Sequence, residues 1–214
     1  MGGAARGDQP TLITSRTLTY EAGTRTTLYD GAALMRSGRS EVRAERLRQV
    51  EDAQGQRRIE AEGGVSSRLQ PGAGKVGGKE PALVEVKAQA MVYDEAQKQV
   101  VYTGDVDLRQ GPISTLSPRA TLFLAADGRA LEKLVAGEPV RLKEGQRRAD
   151  GRLATYELTS ETITIEGEPV HLLGPGQDVQ GRSLTFHVGD DRILVDGREE
   201  GRTETVFRKE PARP

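Results

Sequence analysis

The sequence contains no cysteine and no tryptophan, and aromatic residues make up only 4% of it. Without cysteine there is no disulfide, no thiolate metal site and no cysteine nucleophile, and the redox compartment is left open. With so few large rings, a thick globular core is disfavoured and a thin or open apolar interior fits better. Charge of one sign is missing too: 31 Lys and Arg face 32 Asp and Glu, so no net field recruits nucleic acid or a bilayer. No apolar run approaches the length of a membrane-spanning helix. Residues 1–10 are small and polar rather than a charged start followed by an apolar stretch, so they read as a flexible leader without an export signal.

Motifs that carry chemistry are equally sparse. The two histidines, His171 and His187, are too few for a metal cluster and neither sits in a ligand-spaced motif. There is no nucleophile elbow and no calcium loop, and the glycine run from Gly72 to Gly78 lacks the Lys-Ser/Thr ending of a phosphate loop. No cofactor or metal is therefore expected, and the chain does not read as an enzyme.

What is present is glycine, 26 residues of it, with 10 prolines, dispersed as expected for many short strands separated by turns. An aromatic followed by a strand-like run and a glycine recurs at a constant offset of 11: Tyr20 to Gly31, Tyr93 to Gly104, Tyr156 to Gly167 and Phe186 to Gly197. Two looser units run through Val50 and Ile59 to Gly64 and through Leu124 and Leu131 to Gly137. The marker glycines are 33, 40, 33, 30 and 30 residues apart, a spacing typical of stacked supersecondary units. Each unit has a short run, a polar turn, a second run ending at the glycine and a third beyond it. The turns fall at Ala22-Gly23, Asp52 to Gly55, Asp94-Glu95, Asp127-Gly128, Leu158 to Ser160 and Gly189 to Asp191.

Alternation within the units predicts strands with one dry and one wet face. From Val100 to Gly111, Val100, Tyr102, Val106 and Leu108 share one face, and Thr103, Asp105, Asp107 and Arg109 take the other. Alignment on the glycines places Thr27, Tyr29, Ala33 and Met35, and likewise Ile163, Ile165 and Pro169, on the equivalent apolar face. Ser40 to Gln54 has the composition of a helix, but Val42, Leu47 and Val50 make no helical stripe and the repeat assigns it to strands. Gly72 to Pro81 reads as a loop or linker, within 71–82, between a first sheet segment and a second.

Two near-identical hexapeptides, Gly137-Glu138-Pro139-Val140-Arg141-Leu142 and Gly167-Glu168-Pro169-Val170-His171-Leu172, lie 30 residues apart. A proline cannot donate into a ladder, so each marks a bend or bulge, with Glu138 and Glu168 solvated. As an acid-base pair these glutamates would have to converge in a pocket, and their spacing does not bring that about.

The stretch Tyr93 to Gly111, with its Val-Tyr-Thr-Gly-Asp-Val-Asp-Leu-Arg-Gln-Gly core, followed by Ala136-Gly137-Glu138-Pro139-Val140, resembles the OstA-like family, the LptA and LptC type β-jellyroll proteins of lipopolysaccharide transport. The likeness is best from Val84 to Gly197. It implies an all-β fold: a repetitive antiparallel open β-jellyroll, a folded-over sheet of about six strand-turn-strand units over 11–207, with a flexible tail at 208–214. It also implies a periplasmic location and an apolar groove that shelters acyl chains, with Tyr29, Tyr102, Val106, Leu108, Val135, Ile163 and Ile165 as the candidate ligand-binding residues. The function it implies is binding and transfer of lipopolysaccharide or a related glycolipid as a bridge component. Its partners would be other β-jellyroll transport proteins, joined by edge-strand pairing, or further copies of the chain. Two rivals are a structural module that stacks edge to edge without lipid transfer and a carbohydrate-binding or carbohydrate-processing scaffold using a row of Arg and Glu; few aromatics weigh against the last.

Overall fold

A computed structural model describes residues 11–71, 82–128, 131–175, 177–187 and 193–196, and the backbone of 204–207. The expected leader, the tail, the turn at Gly189 to Asp191 and most of the 71–82 connection lie outside these residues. Within the described residues fourteen antiparallel strands form one sheet. They are β1 (Thr11–Thr14), β2 (Thr17–Glu21), β3 (Thr26–Ser37), β4 (Ser40–Glu51), β5 (Arg57–Leu69), β6 (Val84–Asp94) and β7 (Gln99–Gln110). There follow β8 (Ile113–Leu124), β9 (Leu131–Glu144), β10 (Arg147–Glu157), β11 (Thr162–Gly174), β12 (Gln177–His187), β13 (Ile193–Asp196) and β14 (Glu204–Phe207). From β3 to β12 every strand pairs with its sequence neighbours, so hairpin follows hairpin without a crossover. Ser40 to Glu51 is a strand, as the repeat requires. β5 and β6 pair directly, Leu69 opposite Val84, so the glycine-rich connection joins neighbours within one continuous sheet and does not divide it.

Five of the marker glycines, Gly31, Gly64, Gly104, Gly137 and Gly167, do not end strands, and Gly197 lies outside the described residues. The five lie midway along their strands, at a line of register irregularities that runs across the sheet: Asp30/Ala33 in β3, Glu62/Val65 in β5, Thr103/Val106 in β7 and Glu166/Val170 in β11. An extra unpaired residue bends and twists the bulged strand. Repeated in register, these bends fold the sheet along one corner. Two kinds of segment make it. In β7, Gly104 has φ +79° and is followed by Asp105 at φ 49°; a Cβ at Gly104 would lie 2.6 Å from Gln89 Oε1. In β9 and β11 the glycine leads instead into the cis peptides Glu138-Pro139 and Glu168-Pro169. Pro118 lies in the corresponding irregularity of β8.

That the sheet folds over follows from Leu134 and Leu142. They are eight residues apart on β9, about 26 Å along an extended strand, yet both line one small cavity. The result is two layers joined at the corner, with an apolar interior between them. At the edges, β1 and β2 share β3 as partner, and β13 and β14 share β12, so each edge strand is divided where the corner passes. Opposite the corner, the hairpin loops of the two layers face each other along a seam.

Candidate functional site

The interior is built from rows of cross-strand neighbours. In one layer the row nearest the corner runs Tyr29, Leu47, Ala61, Met91, Tyr102, Ala120, Ala136, Ala154, Ile165, Leu184 and Val195, each opposite the next. In the facing layer a row runs Ile13, Met35, Val42, Ser67, Val86, Leu108, Thr115, Leu142, Ala149, Leu172 and Val179. Most side chains in both are apolar, the exceptions being the hydroxyls of Ser67, Thr115, Tyr29 and Tyr102.

Of the candidate residues, Tyr102, Val106, Leu108, Ile163 and Ile165 lie inside, between 0% and 5% exposed. Tyr29 faces the same interior near the first edge and is half-buried. Val135 does not: it pairs with Thr121 and Thr155 on the outer face, while Leu134 and Ala136 point inward. Pro169 is likewise exposed, and Val170 takes the buried place. Each correction comes from a one-residue offset, which turns a strand over. For Val135, the two hexapeptides are in register beyond their prolines, where Arg141 and His171 both flank Asp150, but before them Leu153 pairs with Gly137 on one side and Glu166 on the other. For Pro169, the irregularity of β11 passes over three residues, 167–169, where that of β7 passes over two, 104 and 105.

Leu108 and Ile163 line the small cavity together with Gln110, Ile113, Thr115, Leu134, Leu142, Ala154 and Tyr156. It sits at the seam, between the loop after β7 and the loop after β10. Its volume is about 20 Å³, room for one water and no more. The interior is thus filled by its own side chains.

The outer faces are charged. On the facing layer a row alternates Arg36, Glu41, Arg68, Glu85 and Arg109, with Arg36 Nε 2.9 Å from Glu41 Oε2 and Arg68 Nε 3.1 Å from Glu85 Oε1. Such pairs on exposed strands contribute little stability but keep the outer surface wet. On the seam side, Arg57 donates two guanidinium hydrogen bonds to Glu95, at 3.0 and 3.1 Å. They hold the Glu95 carboxyl below the usual carboxylate range, against a smaller effect of burial. Glu138 is exposed and bridged to Arg152 at 2.9 Å, and Glu168 is exposed, so this pair is not gathered in a pocket. His171 lies on the outer face beside Asp150, and His187 lies near the Thr162 hydroxyl, far apart along β11 and β12.

At the first edge the interior is uncovered. Leu18, opposite Tyr29, and Tyr20, opposite Thr27, are each 60% exposed although they continue the inner face. At the other edge Ile193 and Val195 close the rows and are half-buried. Among the described residues the backbone edges of β1, β2, β13 and β14 have no further strand beside them.

One sheet folded along a corner, apolar within, charged without and unpaired at both edges is an open β-jellyroll. The chain belongs to the LptA/(LptD N-terminal domain) LPS transport protein family, which matches residues 85–192, half of the sequence. Among solved structures it is similar to that of LptH, the LptA-homologous periplasmic component of the conserved lipopolysaccharide transport device from Pseudomonas aeruginosa. That similarity has 13% identity and a TM-score of 0.49, over 61% of this chain and 83% of that one. No curated protein sequence matches the chain.

Proposed function

We propose that this chain carries lipopolysaccharide or a related glycolipid as a periplasmic bridge component, with the acyl chains between the two layers and the polar head outside the seam. The observation that carries the reading is the unbroken apolar interior, which runs from Leu18 and Tyr20 at one open edge to Ile193 and Val195 at the other. No bond is made or broken. Each methylene moved from water into the interior contributes about 0.8 kcal/mol, so a chain of ordinary length is held firmly without any polar contact. Among the described residues the interior is filled by its own side chains apart from the cavity of about 20 Å³ at the seam, so the layers part there as the lipid enters. Transfer onward follows from the edges: unpaired strands accept a neighbouring β-jellyroll and bring one interior into line with the next.

The unpaired edges also favour a second reading, a module that stacks edge to edge without carrying lipid. A fluorescent apolar probe separates the two. A carrier binds the probe as a monomer and releases it to lipopolysaccharide; a stacking module forms concentration-dependent oligomers and leaves the probe in solution.

A further inference from the structure

The interior contains one polar feature that neither packing nor the carrier reading uses. Tyr102 and Ser67 are 0% and 1% exposed, and the oxygen of each lacks a partner at hydrogen-bond geometry. They belong to opposite layers, since Tyr102 precedes the corner on β7 and Ser67 follows it on β5. Burial raises the Tyr102 phenol, and the Ser67 hydroxyl, facing it from the other layer, is the polar group that opposes the rise. Two other buried hydroxyls are satisfied locally: Thr26 donates to the Thr24 carbonyl at 3.3 Å and Ser117 to the Arg119 carbonyl at 2.9 Å.

An orphaned buried hydroxyl is a liability that phenylalanine and alanine would avoid while filling the same space. The liability disappears when an oxygen enters between the layers. Beside Tyr102 the row continues as Ala120, Ala136 and Ala154 before Ile165, so three successive strands present only a methyl. From β7 to β11 this shallow stretch spans about 19 Å at the usual strand spacing, long enough for an acyl chain lying across the strands. Ala154 also lines the cavity at the seam.

We propose that the Tyr102 and Ser67 hydroxyls form a hydrogen-bonding site for an oxygen carried on an acyl chain, so that this interior prefers a hydroxylated chain to a plain one. The inference rests on the carrier reading and adds to it a chemical selectivity. Both hydroxyls donate and accept, so one hydroxyl on the chain is satisfied from two sides.

The test compares tetradecanoic acid with hydroxytetradecanoic acids substituted near the carboxyl end or at mid-chain, each displacing an apolar fluorescent probe from the full chain. The expected result is a preference of roughly fivefold or more for a hydroxylated chain, the worth of one net buried hydrogen bond. That ratio falls to one in Tyr102→Phe, falls in Ser67→Ala, and persists in the outer-face control Thr103→Val. Tyr102→Phe removes an orphaned group and keeps the ring, so its Tm is not lowered. Equal binding of plain and hydroxylated chains, or a preference that survives Tyr102→Phe, overturns the inference and leaves lipid carriage standing. Binding of no chain at all overturns both.

Discussion

The two layers bury similar numbers of apolar side chains of different kinds. The layer containing Val86 and Leu108 holds eight of the nine buried valines: Val42, Val65, Val84, Val86, Val106, Val140, Val170 and Val179. The layer containing Tyr102 holds only Val100, and instead carries Leu47, Met91, Leu122, Leu134, Ile163, Ile165, Leu184 and Phe186 alongside Ala61, Ala120, Ala136 and Ala154. Valine is stiff at χ1 and packs evenly on a pleated surface, which makes the first layer a flat wall. Leucine, isoleucine, methionine and aromatic side chains set against alanines give the second layer relief, and leucine and methionine adjust by rotating. In a carrier the second layer would shape itself to the lipid while the first holds its form.

The largest expected effect is in the leucine-rich layer. Leu122 is 0% exposed, and Leu122→Ala lowers stability by about 2–5 kcal/mol, measured by urea unfolding, because the space it leaves cannot collapse fully. Next comes the same enlargement placed in each layer. Ala136→Phe and Ala149→Phe both add a ring to a packed interior and each costs about 1–3 kcal/mol. Only Ala136→Phe also abolishes probe binding, since it fills the shallow stretch; equal losses of binding would erase the distinction between the layers. At the corner, Gly104→Ala places a side chain at φ +79° and against Gln89, which costs about 1–2 kcal/mol and is read in the same unfolding assay.

The smallest effect is the response to pH, and it too divides the layers. Burial raises the phenols of Tyr93, Tyr102 and Tyr156, all in the leucine-rich layer. A raised folded-state value means that stability is complete below the ordinary tyrosine range and is lost as pH climbs past about 10. Alkaline unfolding should therefore begin there, and Tyr102 should ionise only as the chain opens, a course followed by tyrosinate absorbance. At the acid end Glu95 is held low by Arg57. Its contribution is present above the ordinary carboxylate range and is lost as pH falls through and below it; Arg57→Gln should remove that part of the acid dependence.

How far the sequence discloses this arrangement depends on how clean each alternation is. β7 was legible because Tyr102, Val106 and Leu108 alternate with polar residues on either side of Gly104, and the wet and dry faces fall as the pattern requires. The Ser40 to Glu51 strand was legible because its apolar residues fit no helical stripe. Val135 was not, because Leu134, Val135 and Ala136 are all apolar and only the pairing with Thr155 decides which one faces outward. The marker glycines were visible as a repeat, but that they bend strands rather than end them depends on the hairpins at the far ends, such as Ser37 to Ser40 and Gln110 to Ile113. The orphaned pair of Tyr102 and Ser67 had no signal at all, since the two residues meet only when the sheet folds over.

The account stands on the claim that acyl chains lie between the layers. It is tested most directly by photocrosslinking to lipopolysaccharide from reactive residues placed on one cross-strand pair at a time. Ala154 and Ile165 face inward opposite each other, and Thr155 and Thr164 face outward beside them. Crosslinks from Ala154 and Ile165 but not from Thr155 and Thr164 are predicted. Equal crosslinks from both pairs, or none from the inner pair, would contradict lipid carriage through the interior.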